Sequence, residues 1–326
     1  MGSKSFLSKA GTVSPVNFNG IYPIPFYNTA VLMEYYWLQG LPGNVAVVLG
    51  RFNPANFSDL NRFANNPREQ FLNTSLGNNP LFGTVLTFSV YGALLSWQAT
   101  ENLLIGGGVW DPTTTPPDYG ARNGLFNKVS VAANVEYKWK LGSLPGAFRP
   151  IFIWTSREPD AVDNPFLVSG IITGDVPQKS DNWMIHLNFE QYIWKPDIPA
   201  NAPAQVRTKS FDYQEPGLGI FFRFGYVPED RNFWNIFVSG GIGGRGVVPG
   251  RPYDRFGLGV FALLKSSDLD EQLESDPLQD EIGFEVFYNF AVTPWLQVTA
   301  DLQYVRSAET SVGDTVIPGF RVMTQF

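Results

Sequence analysis

From Glu281 to the terminal Phe326 the chain alternates apolar and polar side chains almost without a break, interrupted at Thr293-Pro294-Trp295 and from Arg306 to Asp314. One face of the first stretch carries Ile282, Phe284, Val286, Tyr288 and Phe290, while Gly283, Glu285 and Asn289 share the other with Phe287. The next stretch repeats this, setting Leu296, Val298, Ala300, Leu302 and Tyr304 against Gln297, Thr299, Asp301 and Gln303. Successive strand residues point to opposite faces, so each segment is greasy on one side and wet on the other. The same alternation, punctuated by turn residues, predicts strands near 27–38, 43–51, 84–97, 101–110, 124–139, 145–155, 182–194, 217–226, 234–243, 256–265, 281–293, 295–305 and 315–326. That makes about thirteen strands and no long helix.

Connection lengths alternate too. Short ones fall at 39–42, 98–100, 140–144 and 294, and long ones at 52–83, 111–123, 156–181, 266–280 and 306–314. The exceptions are 195–216, long where a short turn is expected, and 227–233, the reverse. Outer-membrane barrels have short periplasmic turns and long exterior loops. All nine tryptophans fall at or next to a predicted strand end: Trp37, Trp97, Trp139, Trp194 and Trp295 at the short-turn end, Trp110, Trp154, Trp183 and Trp234 at the long-loop end. Two belts of amphipathic rings are the mark of a barrel spanning a bilayer. With Phe326 ending the last strand on the periplasmic side, 306–314 lies outside, as does the acidic stretch Asp268 to Asp280.

Composition agrees with a membrane wall. The 326 residues are 44% hydrophobic and 15% aromatic but 16% charged, against about 25% charged in ordinary soluble domains. They read as a single domain, 1–326. No stretch reaches the roughly 18 to 20 apolar residues of a membrane helix, so any crossing is by strands. The absence of cysteine removes disulfides and thiolate chemistry. A net charge of −7 without a basic cluster argues against nucleic acid. The opening Met-Gly-Ser-Lys-Ser-Phe-Leu is not a secretory signal. Two readings stay open: a signal removed along with other N-terminal residues, or a cytosolic chain and a mistaken membrane assignment.

A pore needs a constriction, and the longest exterior connection, 52–83, exceeds a hairpin turn. Residues 54–64 predict a short amphipathic helix with Phe57, Leu60, Phe63 and Ala64 toward one wall, leaving Arg62, Arg68, Glu69, Gln70 and Asn73 to the lumen. Inner-face strand positions add Glu136, Lys138, His186, Asn188, Glu190, Arg223, Glu285, Asn289, Asp301, Gln303 and Arg321. Such donors and carboxylates suit many-hydroxyl solutes, though the same set lines any watery lumen. His186 has no nucleophile motif near it and reads as lumen-lining or hydrogen-bonded. The glycine clusters at 106–108 and 240–244 lack a phosphate-loop setting and read as close packing or strand bending. No catalytic residue, cofactor or metal site is assigned; the acidic exterior loop reads as solvated, with divalent-cation binding the other option.

Three motifs sharpen the picture: Asn182-Trp183 through Asn188-Phe189-Glu190-Gln191-Tyr192-Ile193-Trp194; Gly243-Gly244-Arg245-Gly246-Val247-Val248-Pro249-Gly250-Arg251-Pro252-Tyr253-Asp254-Arg255-Phe256-Gly257-Leu258-Gly259; and Glu285-Val286-Phe287-Tyr288-Asn289-Phe290-Ala291-Val292-Thr293-Pro294-Trp295-Leu296, continuing into Asp301-Leu302-Gln303-Tyr304. With these in order, the chain resembles the carbohydrate-selective outer-membrane porins of the OprB type, from Ala10 to its end. The resemblance implies an all-β, transmembrane antiparallel barrel of about sixteen strands that carries sugars passively across a bacterial outer membrane. About thirteen strands fit a member lacking roughly its first three. Closure pairs the first strand with the last, so the expectation is a gapped barrel with edges near 27–38 and 315–326, or a fragment of a longer product.

The function expected is thus passive diffusion of mono- or oligosaccharides through a water-filled lumen in the outer-membrane bilayer, by a monomer or homotrimer without enzymatic chemistry. A soluble or surface all-β carbohydrate-binding module is the alternative, and a barrel enzyme or adhesin using the exterior loops a third.

Overall fold

The computed structural model describes residues 33–87, 89–113, 125–167, 171, 173–196, 215–270, 278–293 and 295–324. Thirteen strands are present: β1 (Tyr35–Leu41), β2 (Val45–Phe52), β3 (Val90–Gln98), β4 (Leu103–Trp110), β5 (Ser130–Leu141), β6 (Leu144–Thr155), β7 (Asn182–Trp194), β8 (Gly217–Tyr226), β9 (Trp234–Arg245), β10 (Arg255–Lys265), β11 (Glu281–Thr293), β12 (Leu296–Arg306) and β13 (Thr315–Thr324). They form one antiparallel meander in chain order. Among the described residues β1 and β13 each pair with a single neighbour, so the sheet is an open-edged barrel wall. The edge strands lie where the alternation placed them; residues 27–32 and Phe326 fall outside the described residues.

Local chemistry explains the strand ends. The hairpin from β1 to β2 turns through Gly43 at φ +81° and Asn44 at φ +62°, the two residue types that enter the left-handed region at least cost. Several predicted boundaries move: β1 runs Tyr35–Leu41, β5 begins at Ser130, and β3 begins at Val90 because Phe82–Val85, which overlaps the strand predicted from 84, forms a helical turn instead. Its Phe82 and Val85 are buried, the latter completely. Alternation is silent where an apolar run faces a core on every side.

The outward faces are apolar and bare. In β11 every second residue from Ile282 to Val292 is exposed while Glu281, Gly283, Glu285, Phe287, Asn289 and Ala291 are buried. On β13 Phe320 is 71% exposed. A soluble protein does not tolerate a band of exposed apolar side chains around its sheet, whereas a bilayer requires it. Among the described residues no helix is long and apolar enough to cross a membrane. Two aromatic rims flank the band. Phe152, Trp183 and Tyr226 pack in series at the long-loop end, with Trp154 donating to Asp181 at 3.0 Å. Tyr137, Trp139 and Phe189 stack near the short-turn end. Two tryptophans leave the expected belt: Trp110 points inward at 1% exposure into the core, and half-buried Trp234 packs against that core.

Residues 53–87 pass inside the sheet. Phe63, Phe71, Leu76 and Leu81 from this segment share one hydrophobic core with Phe221, Phe237, Phe261 and Phe287 of the wall. The fit depends on glycine. A Cβ at Gly219 would meet the Phe63 ring at 2.0 Å, and one at Gly259 would meet Leu76 at 2.7 Å. The 240–244 cluster contributes at Gly243, beside Phe63. Inward glycines thus flatten β8 to β10 into a surface on which the loop lies.

Gly219→Ala and Gly259→Val are expected to push the segment off this wall at a cost of about 1–3 kcal/mol. The readouts are a lower melting temperature of the heat-modifiable band on gels and a larger single-channel conductance. Variants that melt and conduct like the parent would contradict the close packing.

Candidate pore and its constriction

Asp59 sits at the centre of the loop's attachment. It is the sole charged residue between Phe52 and Asn61, and it is buried to 1% exposure. Its carboxylate accepts from Arg223 Nε at 2.9 and 3.0 Å, from the Asn79 backbone N–H at 3.1 Å and from Asn188 Nδ2. His186 Nε2 lies 3.4 Å away, and its Nδ1 meets Asn79 Nδ2 at 3.0 Å. Arg223 spends its remaining donors on loop carbonyls, those of Leu76 at 2.9 Å and of Ala64. Burial pushes the Asp59 carboxyl up, but Arg223 and then His186 outweigh it and hold it well below the usual carboxylate range.

Further clasps run along the wall. Glu285 of β11 accepts from the Leu72 and Asn73 backbone N–H groups at 2.6 and 2.7 Å, and the Asn73 side chain reaches Gln303 of β12 at 3.2 Å. Arg321 of β13 donates to the Pro67 and Gln70 carbonyls, the latter at 2.7 Å. Glu69 pairs with Arg255 of β10 and accepts from Gln297 at 3.3 Å. Gln70 closes the loop on itself, accepting from the Asn65 and Asn66 N–H groups at 2.9 Å each and donating to the Arg62 carbonyl at 2.6 Å. Every fixed point between 59 and 73 therefore belongs to strands β7 to β13.

A charged ladder leads from this loop across β7 and β6 to β5. Arg62 lies 3.2 Å from Glu190, Glu190 lies 3.0 Å from Arg149, Arg149 lies 2.5 Å from Glu136, and Glu136 lies 2.5 Å from Lys138. It ends beside a 360 Å³ cavity between loop residues 54–60 and strands β1 to β6, where Glu136, Arg149 and Asn134 meet Leu60 and Leu94. On the long-loop side of the constriction lies a second cavity, of 490 Å³.

The sixteen residues singled out from sequence thus divide, with Asn289, Asp301 and Gln303 buried in the wall and Lys138 half-buried. His186, Asn188, Glu190, Arg223, Glu285 and Arg321 on the wall, with Gln70 and Asn73 on the loop, are buried and bond loop to wall. Arg62, Glu69 and Glu136 are half-buried, and Arg68 is exposed. The amphipathic helix expected over 54–64 shrinks to one 3-10 turn, Pro54–Phe57, capped by the Asn53 side chain on the Ala55 N–H. Beyond it Asp59 bonds Arg223 and Phe63 packs on Tyr192 without further helical structure up to residue 73. Asp59, Arg149 and Arg255 were not marked from sequence. Their one signal is position: Arg149 and Arg255 occupy inward sites of their strands, and Asp59 is a lone charge in a neutral run.

A meander of strands with a lipid-facing outer surface and an in-folded exterior loop defines a porin-type outer-membrane channel. The chain belongs to the carbohydrate-selective porin, OprB family, whose profile matches residues 4–326. Porin B of Pseudomonas aeruginosa is 23% identical over 219 residues, which make up 59% of this chain and 44% of that protein. An uncharacterised protein of Aquifex aeolicus is 23% identical over 295 residues, 89% of this chain and 69% of that one. The high-pH structure of Pseudomonas putida OprB has a TM-score of 0.71 at 19% identity, covering 91% of this chain and 73% of that one. Its low-pH structure gives 0.53 at 16% identity, covering 90% and 67%. At these identities the likeness to the solved structures is one of fold. Family and fold place the protein in the outer membrane and are those of a channel rather than an enzyme.

Removing one partner of a buried ion pair strands the other, so Arg223→Ala is expected to cost about 3–5 kcal/mol and to release the loop as raised conductance. Because the folded Asp59 carboxyl sits below its unfolded value of about 3.9, its contribution is present above that pH and fades only as pH falls through the lower, folded value. Conductance should therefore hold steady from about pH 8 to 5, and Asp59→Asn should remove the contribution across that whole range. A parent channel that loosens between pH 8 and 5 would show that another group controls the loop.

Proposed function

We propose that the whole chain, 1–326, works as one barrel domain through which small sugars diffuse passively down their gradient, with 52–83 as the constriction. The observation that carries this reading is the attachment of loop residues 59–73 to one half of the wall, β7 to β13. Space is left along the other half, where the 360 Å³ cavity lies. Arg62, Glu136 and Lys138 are the accessible members of the ladder and serve as the solute-facing groups, with Arg68 and Glu69 at the loop's margin. Their donors and carboxylates exchange hydrogen bonds with sugar hydroxyls, each weak enough that the solute leaves as readily as it enters. Buried Glu190, His186, Asn188, Arg223, Glu285 and Arg321 act at one remove, by holding the loop's position. The ladder alternates in sign, and paired charges keep most of their attraction for each other rather than for passing ions. That favours a neutral solute over an anion or a cation.

Liposome swelling with the full-length protein tests the reading. Glucose should enter rapidly and a large oligosaccharide slowly or not at all. Excising residues 55–84 should admit the oligosaccharide by raising its rate about tenfold or more. Glucose entry no faster than into empty liposomes would refute the channel.

A further inference from the structure

The 490 Å³ cavity on the long-loop side has a wall chemistry of its own. It is bounded by the loop's Asn78 to Thr87 stretch, by Arg157 and Asp160 after β6, and by Arg231 to Trp234 before and at the start of β9. Its size lies within the roughly 300–1,000 Å³ typical of small-ligand pockets. Two arginines line it. Arg231 is committed, lying 2.5 Å from Asp181 and 2.8 Å from Asp230. Arg157 is half-buried, and among the described residues no acceptor is paired with its guanidinium. Burial alone weighs on that group, lowering its pKa with no acid to offset the cost. The Thr87 hydroxyl, also at this cavity, is buried without a partner. Asp160 also lines the cavity, and Trp234 and Phe233 supply aromatic surface, their rings 6.3 Å apart.

The frame around the cavity is cross-linked. Lys179 ties Asp163 to Asp230 at 2.7 and 3.2 Å, and the Val162 N–H donates to the Asp230 carbonyl at 2.9 Å. Val162, Leu167 and Leu269 form a small core of their own, joined by Val176, Phe233 and Leu278. Exterior segments are thus packed into a fixed cap rather than left as free hairpins. A cavity with unsatisfied donors, one acceptor and an aromatic face demands a ligand that both accepts and donates and has an apolar side. A pyranose ring has all three, since its hydroxyls do both and its axial C–H face stacks on indole.

We propose that this cavity is a docking station for a neutral monosaccharide ahead of the constriction. Arg157 donates to the sugar's hydroxyl oxygens, Asp160 accepts from another hydroxyl, and Trp234 carries the ring face. This rests on the channel reading above and adds to it a saturable site: flux levels off at high sugar because the station fills.

The test is glucose-induced blocking of current through single channels of the full-length protein in 1 M KCl, where screening over about 3 Å keeps a single surface charge from altering conductance. Glucose should interrupt the parent current. Arg157→Gln and Trp234→Leu should raise the half-blocking concentration about tenfold while open-channel conductance stays the same, and Asp160→Asn should raise it several-fold. The heat-modifiable gel shift confirms that each variant is folded. Glucose block unchanged in both Arg157→Gln and Asp160→Asn would overturn the station. Tighter block by glucuronate than by glucose would also overturn it, since the site would then be an anion site. Failure of the parent to conduct ions or swell liposomes would instead sink the channel reading itself.

Discussion

Everything here hangs on a loop of roughly thirty residues held inside a membrane wall by buried charge. Asp59 is out of water, and a carboxylate in that position is tolerable only with its lone pairs filled. Arg223, Asn79 and Asn188 fill them, with His186 Nε2 3.4 Å away. Because Arg223 also reaches the Leu76 and Ala64 carbonyls, one ion pair sets the position of both arms of the loop. The glycines of β8 to β10 then let Phe63, Phe71 and Leu76 lie flat against the wall, so apolar packing adds to what the charges align.

Two solvents shape the molecule in opposite senses. In hydrocarbon every backbone polar group needs a partner, which makes an unbroken strand meander the form available to a chain without long apolar helices. The same surroundings put Phe320, Val260 and Leu258 outside, and the polar alternates inside. Once inside, those polar groups face a loop rather than open water over half of the wall. Open space survives in the cavity beside β1 to β6, where the ends of the loop also bond through Asn56 to Glu34 and Ser89 to Arg51, and above it under the exterior cap.

The cap and the constriction are therefore built by different means. The constriction is tied to strands by buried charge–dipole and charge–charge contacts. The cap is held by half-exposed pairs such as Lys179 with Asp163, which contribute little singly and more as a network. Arg157 stands apart from both, a guanidinium whose environment makes sense in the presence of a ligand.

Strand positions were legible in the chain because a bilayer enforces a period of two over ten residues at a time: β7, β8 and β11 fall where alternation put them. Lipid-facing side chains were equally readable, whereas the length of 52–83 allowed an in-folded segment and an exposed surface loop alike. Individual side-chain roles were not. Alternation says that His186, Asn188, Glu190, Arg223, Glu285 and Arg321 point inward, but an inward residue meets water or a loop with the same periodicity. Which of the two it meets depends on contacts between positions 100 to 250 residues apart, such as Arg321 with Gln70. Trp110 and the 54–64 segment show the limit from the other side: a rim tryptophan turned inward, and a helical pattern broken after one turn. In both cases burial inside the wall outweighed a local preference of a kilocalorie or so. The chain's own pattern thus determined a membrane wall and a loop long enough to fill it, and tertiary packing alone decided which polar groups hold the loop and which remain for the solute.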